Sequence, residues 1–195
     1  MDNNSSGFWF QRARNWATSL VPNPDVWYRE IDSIQDVSRK DAATAVPSLL
    51  HAISRFLILE RLATQELMNG QFNGPDDLSR PPVPLYIDLV KGTHSALVEL
   101  GSNATQHLIA AYDSASTDPS DKPSILWVLA DIRDDRTIPL FRDLDEKSIA
   151  DMVRAESARI LGGQDTMATE DCLIEARQMI LHLQVKSAYT RADNS

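Results

Sequence analysis

The sequence predicts an all-α protein built from stacked antiparallel pairs of helices. The main observation is an internal repeat, because residues 97–112 align with residues 129–144 at an offset of 32. Apolar residues coincide at five positions of this alignment, and a short polar link (101–103 or 133–135) lies at the same place in both copies. A period of this length is typical of arrays in which each helix pair buries its apolar face against its neighbours. No segment shows the alternating apolar pattern of a β-strand.

Residues 1–69 are predicted to form an N-terminal helical cap. A helix over residues 8–20 carries Trp9 and Trp16 on one face, and both indoles are expected in the core because the array is small. Asn23 is predicted as an N-cap, with Pro24 in the first helical position. The same face of the first helix carries Ala13 and Leu20, the second helix carries the stripe Trp27, Ile31 and Ile34, and Asp41 is predicted to cap the third helix.

The segment 49–67 is dense in apolar residues, which predicts a central helix contacted on several sides. It is not expected to be a membrane span, since no apolar stretch reaches the ~20 residues that a span needs. Residues 70–84 are predicted to be a Pro-rich loop, because 81–84 hold three prolines and Pro75 follows a glycine.

Residues 85–190 are predicted to be helical repeats within one continuous domain. Gly92 is a weak point in the first of these helices. A last helix is expected to begin with Thr169 as N-cap, and the tail from Tyr189 is expected to fray. The core stripe predicted for this last helix consists of Leu173, Ala176, Ile180 and Leu183.

The composition narrows the possible partners. The formal net charge is −9, and residues 70–121 carry 2 Lys/Arg against 7 Asp/Glu. An acidic surface repels phosphate, so nucleic acid is not expected as a partner, whereas a protein with a basic surface is. Cys172 is the single cysteine, which excludes an internal disulfide and fits the cytoplasm. The N-terminus lacks the pattern of a signal peptide.

The repeat resembles the HEAT-repeat family, in particular its short, HEAT-like members. The residues that carry the resemblance are 127–144, with Ile138-Pro139-Leu140-Phe141 opening a second helix, and 153–162, which end in Leu161-Gly162. It covers roughly residues 85–165, about two repeats and a fragment. Membership of this family implies an α-solenoid scaffold that binds other proteins far more often than an enzyme.

No pattern of catalytic residues is visible in the sequence. His51, His94, His107 and His182 form no metal-ligand spacing with one another or with Cys172, and no phosphate-binding glycine loop is present. Neither a metal nor a cofactor is therefore expected, and Cys172 is expected to be inert. The charged segment 131–136 has two interpretations: a recognition patch, or a solvated turn whose aspartates cap the next helix and pair with its arginines.

The resulting hypothesis is a non-catalytic interaction module, namely an acidic scaffold, adaptor or immunity-type inhibitor. The alternative is a HEAT-like protein that handles bilin chromophores, as bilin lyases do. HEAT arrays bind along the face formed by the second helix of each pair. The binding strip expected here consists of Asn103, Gln106, Asp134, Asp135, Arg136 and Arg142.

Overall fold

A computed structural model describes residues 5–21, 23–68, 83–160 and 169–193. Within these ranges the chain is helical apart from short turns and contains no strand, so the all-α prediction is confirmed. The α-helices are α1 (Ser6–Leu20), α2 (Asp25–Ser38), α3 (Ala42–Met68), α4 (Val83–Glu99), α5 (Ser102–Asp113), α6 (Lys122–Ile132), α7 (Ile138–Arg142), α8 (Glu146–Ile160) and α9 (Thr169–Asp193). Two short 3-10 turns, Pro119–Asp121 and Asp135–Thr137, precede α6 and α7.

The chain divides into two compact units, residues 1–99 and residues 100–195. The sequence predicts α4 as the first helix of the repeats, but α4 packs on α1 and α3 and so belongs to the first unit. Most of the predicted Pro-rich loop, 70–84, lies outside the described residues, although Val83 and Pro84 already form the start of α4. Leu161 and Gly162, which end the segment that resembles a HEAT repeat, lie outside them as well.

Helix α1 packs on α4 through Phe10, Ala13 and Ala17, each at most 1% exposed. The prediction that Trp9 and Trp16 fill the core is wrong, because both are only half-buried.

The contact of Phe10 with Gly92 explains the glycine in the middle of α4. A β-carbon added at Gly92 would lie 2.7 Å from Phe10 Cε1 and 2.8 Å from Cδ1, closer than carbon atoms pack. The sequence presents Gly92 as a weak point of the helix, whereas in the fold its missing side chain makes room for a fully buried aromatic ring.

The start of α2 differs by one residue from the prediction. Pro24, not Asn23, is the N-cap residue, and its carbonyl accepts from the backbone N–H of Tyr28 at 3.0 Å. The cap of α3 is confirmed: Asp41 Oδ1 accepts from the backbone N–H of Thr44 at 3.0 Å. This bond and one from the Thr44 hydroxyl lower the pKa of Asp41.

Helix α3 contacts both α2 and α4, as expected for a central helix. Its segment Ala42–Leu67 is long and apolar enough to cross a membrane by length and composition, with a mean hydropathy of 1.5, and 39% of its most apolar window is buried. The expectation that no segment reaches that length therefore does not hold for α3. A buried helix of a soluble protein meets the same two criteria, so this property assigns no location.

In the second unit, α5 packs on α6, and α9 packs on α6, α7 and α8. The core stripe predicted for α9 is partly wrong: Ala176 and Leu183 are buried, but Leu173 and Ile180 are only half-buried. Cys172 and Met179 take their places in the core, which rotates the buried face around the helix. The helix continues to Asp193.

Both copies of the sequence repeat contain a turn with a positive φ at the same position. Gly101 follows α4 with φ 59°, and Arg133, 32 residues later, follows α6 with φ 56°. A left-handed backbone costs an L-residue roughly 1–2 kcal/mol and costs glycine almost nothing. The two turns share the positive φ but differ in ψ, which is −143° at Gly101 and 44° at Arg133, so only Arg133 is in the left-handed helical region.

These two turns generate a paired prediction. Gly101→Ala should lower the free energy of unfolding by about 1–3 kcal/mol through backbone strain alone, because φ 59° with ψ −143° is a conformation that essentially only glycine adopts and open space surrounds the new methyl group. Arg133→Gly should be more stable than Arg133→Ala by about 1 kcal/mol, since both variants remove the side chain and only glycine relaxes the turn. Urea denaturation of the four proteins measures both differences. Equal stability of the two position-133 variants would contradict the account.

The Phe10 contact generates a second prediction. Gly92→Ala should destabilise the first unit by about 1–3 kcal/mol, because the added methyl overlaps a ring that has no room to move. Gly7→Ala is the matched control: it lies in α1 with nothing within 4 Å of the new methyl, so a small gain of about 0.5–1 kcal/mol is expected. A Gly92→Ala variant as stable as the wild type in chemical denaturation would refute the close-contact role.

Candidate functional site

The binding strip predicted from the sequence centres on the turn between α6 and α7. Asp134 Oδ1 accepts from the backbone N–H of Arg136 and from its Nε, both at 2.9 Å. Asp134 Oδ2 accepts from the Thr105 hydroxyl at 3.0 Å. Arg136 Nη2 donates to the same carboxylate and to the backbone carbonyl of Ser102. These bonds join the start of α5 to the turn before α7.

The environment of Asp134 fixes its charge. Hydrogen bonds from the Arg136 side chain, followed by those from the Arg136 backbone and Thr105, lower the pKa of Asp134 to about 2, against the opposing effect of burial. The same bond raises the pKa of Arg136. The side chains of Asp134 and Arg136 thus bond each other, and Asp134 also bonds the backbone of the turn. Asp134 thus caps the turn and pairs with an arginine, which are the contacts that the second interpretation of segment 131–136 describes.

The other four predicted residues, Asn103, Gln106, Asp135 and Arg142, are all exposed. Their side chains make no hydrogen bond or ion pair within the described part of the chain. The structure therefore joins Asp134 to Arg136 and leaves these four side chains available, without joining them into one cluster.

A surface that the sequence did not indicate lies on α9. Ile174, Leu181 and Val185 are 46%, 64% and 45% exposed. Their spacing of seven and four residues aligns them along one face of the helix. The buried residues Cys172, Ala176, Met179 and Leu183 occupy the opposite face. We call Ile174, Leu181 and Val185 the outer stripe of α9.

Acidic side chains accompany the first half of the outer stripe. Glu170, Asp171 and Glu175 are exposed on the first turns of α9. The Arg177 side chain contacts α8, where its Nε donates a hydrogen bond to Glu146 Oε1 at 2.9 Å. The second unit as a whole carries 10 Lys/Arg and 16 Asp/Glu. The stripe is therefore apolar along its centre and negative at its N-terminal end.

A separate polar arrangement lies in the first unit, between α1 and α4. Asp88 of α4 is 2% exposed, and its Oδ2 accepts from Trp16 Nε1 at 3.0 Å and lies 3.2 Å from Arg12 Nε. Burial raises the pKa of Asp88, and the charges of Arg12 and Lys91 and the Trp16 bond oppose that rise. The hydrogen bond from its indole N–H to Asp88 thus holds the half-buried Trp16 of α1 in place. A prediction from the apolar pattern alone does not include the need of this N–H for an acceptor.

The histidines show no shared site. His51, His107 and His182 are exposed and His94 is half-buried; the His182 ring lies edge-on to Trp127 with centroids 4.9 Å apart. Among the described residues, no three His, Cys, Asp or Glu side chains are grouped so that they could hold a metal ion. Cys172 is fully buried in α9.

No protein-family model matches the chain, and neither a curated protein nor a solved structure is significantly similar to it.

The Asp134 cluster generates a prediction for acid stability. Since the folded-state pKa of Asp134 is about 2 and the ordinary value is 3.8, its charged form stabilises the fold above pH ~4, and this contribution disappears as the pH falls towards 2. The stability difference between the wild type and Asp134→Asn should therefore shrink by about 2 kcal/mol between pH 5 and pH 2. Denaturant unfolding at each pH measures it.

The neighbouring Asp135 supplies the control, because it is exposed and its side chain lies outside the cluster. Asp135→Asn should change the free energy of unfolding by no more than about 0.5 kcal/mol at any of these pH values. If the Asp134→Asn difference were the same at pH 5 and pH 2, the bonds to Arg136 and Thr105 would not hold the carboxylate charged.

Proposed function

We propose that this protein is a non-catalytic interaction module that binds another protein with a basic surface, as an adaptor or an inhibitor does. The observation that carries the proposal is the outer stripe of α9, where three aliphatic side chains are exposed in line on a helix whose opposite face is core. Single exposed leucines are ordinary on protein surfaces, whereas aligned ones on one helix face mark a surface that another chain covers.

The stripe supplies a favourable but moderate apolar term. Complete burial of a Val, Leu or Ile side chain is worth about 1.5–3 kcal/mol, and about half of the surface of Ile174 and Val185 and about a third of that of Leu181 is already covered. Each would therefore contribute about 1 kcal/mol. A term of this size supports regulated, reversible binding and leaves specificity to the surrounding charges.

The charges around the stripe favour a basic partner. Glu170, Asp171 and Glu175 surround its N-terminal end, and the whole chain is negative. An amphipathic helix with its own apolar stripe and with lysine or arginine at its edges matches both properties. Such a partner places its apolar residues against Leu181 and its cations near the first turns of α9.

We also propose that the second unit is a short HEAT-like array. The internal repeat supports this arrangement, as does the packing of α5 on α6 and of α8 on α9. Asn103, Gln106, Asp135 and Arg142 remain available for a partner in that case. Asp134 and Arg136 do not, since their bonds hold the turn together.

Affinity capture with the full-length chain tests the proposed function. The bait is used as wild type, as Leu181→Gln and as Leu62→Gln, the last being a matched control because Leu62 is an exposed leucine of α3 in the other unit. We expect a stoichiometric basic protein that the wild type and Leu62→Gln capture and that Leu181→Gln does not. With that partner purified, Leu181→Gln should weaken binding at least tenfold, about 1.4 kcal/mol.

Three results would contradict the proposal. In the first, the partner binds Leu181→Gln as tightly as the wild type. In the second, only nucleic acid or chromophore-bearing proteins are recovered, and the latter would favour the bilin-handling alternative. In the third, sedimentation velocity shows a wild-type dimer that Leu181→Gln converts to a monomer, because a second copy of the chain would then cover the stripe. Thermal unfolding of each variant verifies that it is folded.

A further inference from the structure

We propose that one face of α3 binds a second copy of this chain, so that two α3 helices pack side by side in opposite directions. The face consists of Arg55, Leu59, Leu62 and Glu66, and we call it the 55–66 face. The Arg55 side chain is 44% exposed and Leu62 is 43% exposed, while Leu59 and Glu66 are half-buried. The face lies in the first unit and is independent of the outer stripe of α9.

The spacing of the four residues is that of a helix-pairing seam. Successive members are four, three and four residues apart, which is the spacing of the contact positions in paired helices. At 3.6 residues per turn they lie within an arc of about 60° on one side of α3. The core residue Phe56 lies about 90° from the centre of this arc, so the pairing does not use the side that packs α3 into its own unit.

The 55–66 face is complementary to itself in one orientation. The two leucines and the two charged residues share one midpoint, which lies between residues 60 and 61. When a second α3 runs antiparallel about that midpoint, Leu59 lies opposite Leu62 of the second copy, and Arg55 lies opposite its Glu66. Each of these contacts occurs twice, because the arrangement has twofold symmetry. A parallel pair would instead place like charges together at both ends, which repel.

Arg55 is already held where this contact needs it. Its Nη2 pairs with Glu30 of α2, and its guanidinium lies 4.9 Å from the centroid of the Phe56 ring. Such ordering before association lowers the entropic cost of binding. A guanidinium carries five N–H donors, so a second carboxylate binds it while the pair with Glu30 is kept. The Glu66 carboxylate accepts several hydrogen bonds, so contacts within its own chain are compatible with one more.

The apolar part of the face belongs to a helix that is incompletely covered. Helix α3 has a mean hydropathy of 1.5 in its most apolar window, yet only 39% of that window is buried. Ile58, one turn before Leu62, is also only half-buried, so the exposed leucine has an apolar neighbour. An apolar centre between charged ends is the composition of a protein contact, in which the rim stays polar.

The distribution of charge favours a second copy over a lipid surface. Residues 1–99 carry 9 Lys/Arg and 12 Asp/Glu, whereas residues 100–195 carry 10 and 16. Two copies therefore repel each other less when their first units meet than when their second units do. An anionic membrane repels the whole chain, and insertion into apolar lipid would strip water from Arg55 and Glu66 without supplying partners.

Sedimentation velocity of the full-length chain tests the proposal. A helix contact about 18 Å long belongs with small, reversible interfaces, so we expect a monomer–dimer equilibrium between about 1 and 500 µM. Leu62→Gln should raise the dissociation constant at least tenfold, because this residue occurs twice in the contact. Leu67→Gln is the matched control: it changes an exposed leucine of the same helix about 140° away, and it should stay within twofold of the wild type.

An exchange of charges tests the antiparallel arrangement. Arg55→Glu and Glu66→Arg each create two like-charge contacts in the dimer, so either variant alone should dimerise at least tenfold more weakly than the wild type. A mixture of the two restores both opposite-charge contacts and should associate within threefold of the wild type. Arg55→Glu also meets Glu30 of its own chain, so thermal unfolding verifies that each variant is folded. If it is not, the comparison of Leu62→Gln with Leu67→Gln decides.

The proposal is overturned if the wild type stays monomeric at the highest concentration, or if Leu62→Gln dimerises as tightly as the wild type. It is also overturned if the folded charge variants associate no better together than alone. A monomer that floats with phosphatidylcholine vesicles would overturn it by showing that lipid covers the face instead. Leu181→Gln should dimerise as the wild type does, and Leu62→Gln should still capture a basic partner, which separates this result from the outcome for α9.

Discussion

The close contact of Phe10 with Gly92 is the constraint on which the first unit depends. It brings α1 and α4 near enough for a buried ring to lie against backbone, and one turn earlier on α4 it brings Asp88 within reach of Arg12 and Trp16. A larger residue at position 92 would separate the helices and weaken both bonds to Asp88. The hydrophobic packing and the polar site of this unit are therefore consequences of the same missing side chain.

Asp88 and Asp134 each contact two side-chain donors, yet burial and hydrogen bonding combine differently at the two sites. At Asp88 the loss of water outweighs the bonds, so the pKa rises. At Asp134 the bonds from Arg136 and Thr105 outweigh a smaller desolvation, and the pKa falls to about 2. The first carboxylate depends on its partners to remain charged in the interior, whereas the second is a turn-forming group that is charged at all ordinary pH values.

Local signals in the sequence were enough to predict the helices, since caps such as Asp41 act through residues next to them in the chain. The positions of several side chains depend on tertiary contacts, and the spacing of apolar residues along the chain does not predict those contacts. Trp16 is half-buried, and its N–H bonds a carboxylate of α4 that lies 72 positions away in the chain. The bond from Arg136 to the Ser102 carbonyl likewise joins residues 34 positions apart in the chain. Gly92 could not be understood without knowing that Phe10 lies against it.

Helix α9 shows why one of the candidate surfaces escaped sequence reasoning. Its apolar residues lie on two opposite faces, so no single stripe dominates the sequence pattern. One face is buried and the other is the outer stripe; the buried face consists of Cys172, Ala176, Met179 and Leu183. The pattern alone does not distinguish which face is internal; the packing of α9 on α6, α7 and α8 decides it. The apolar residues of the other face are exposed, and exposed apolar patches lower the solubility of a protein. A partner that covered these residues would remove that effect. That cost, on a helix already fixed by its other side, is the physical reason to regard the outer stripe as a binding surface.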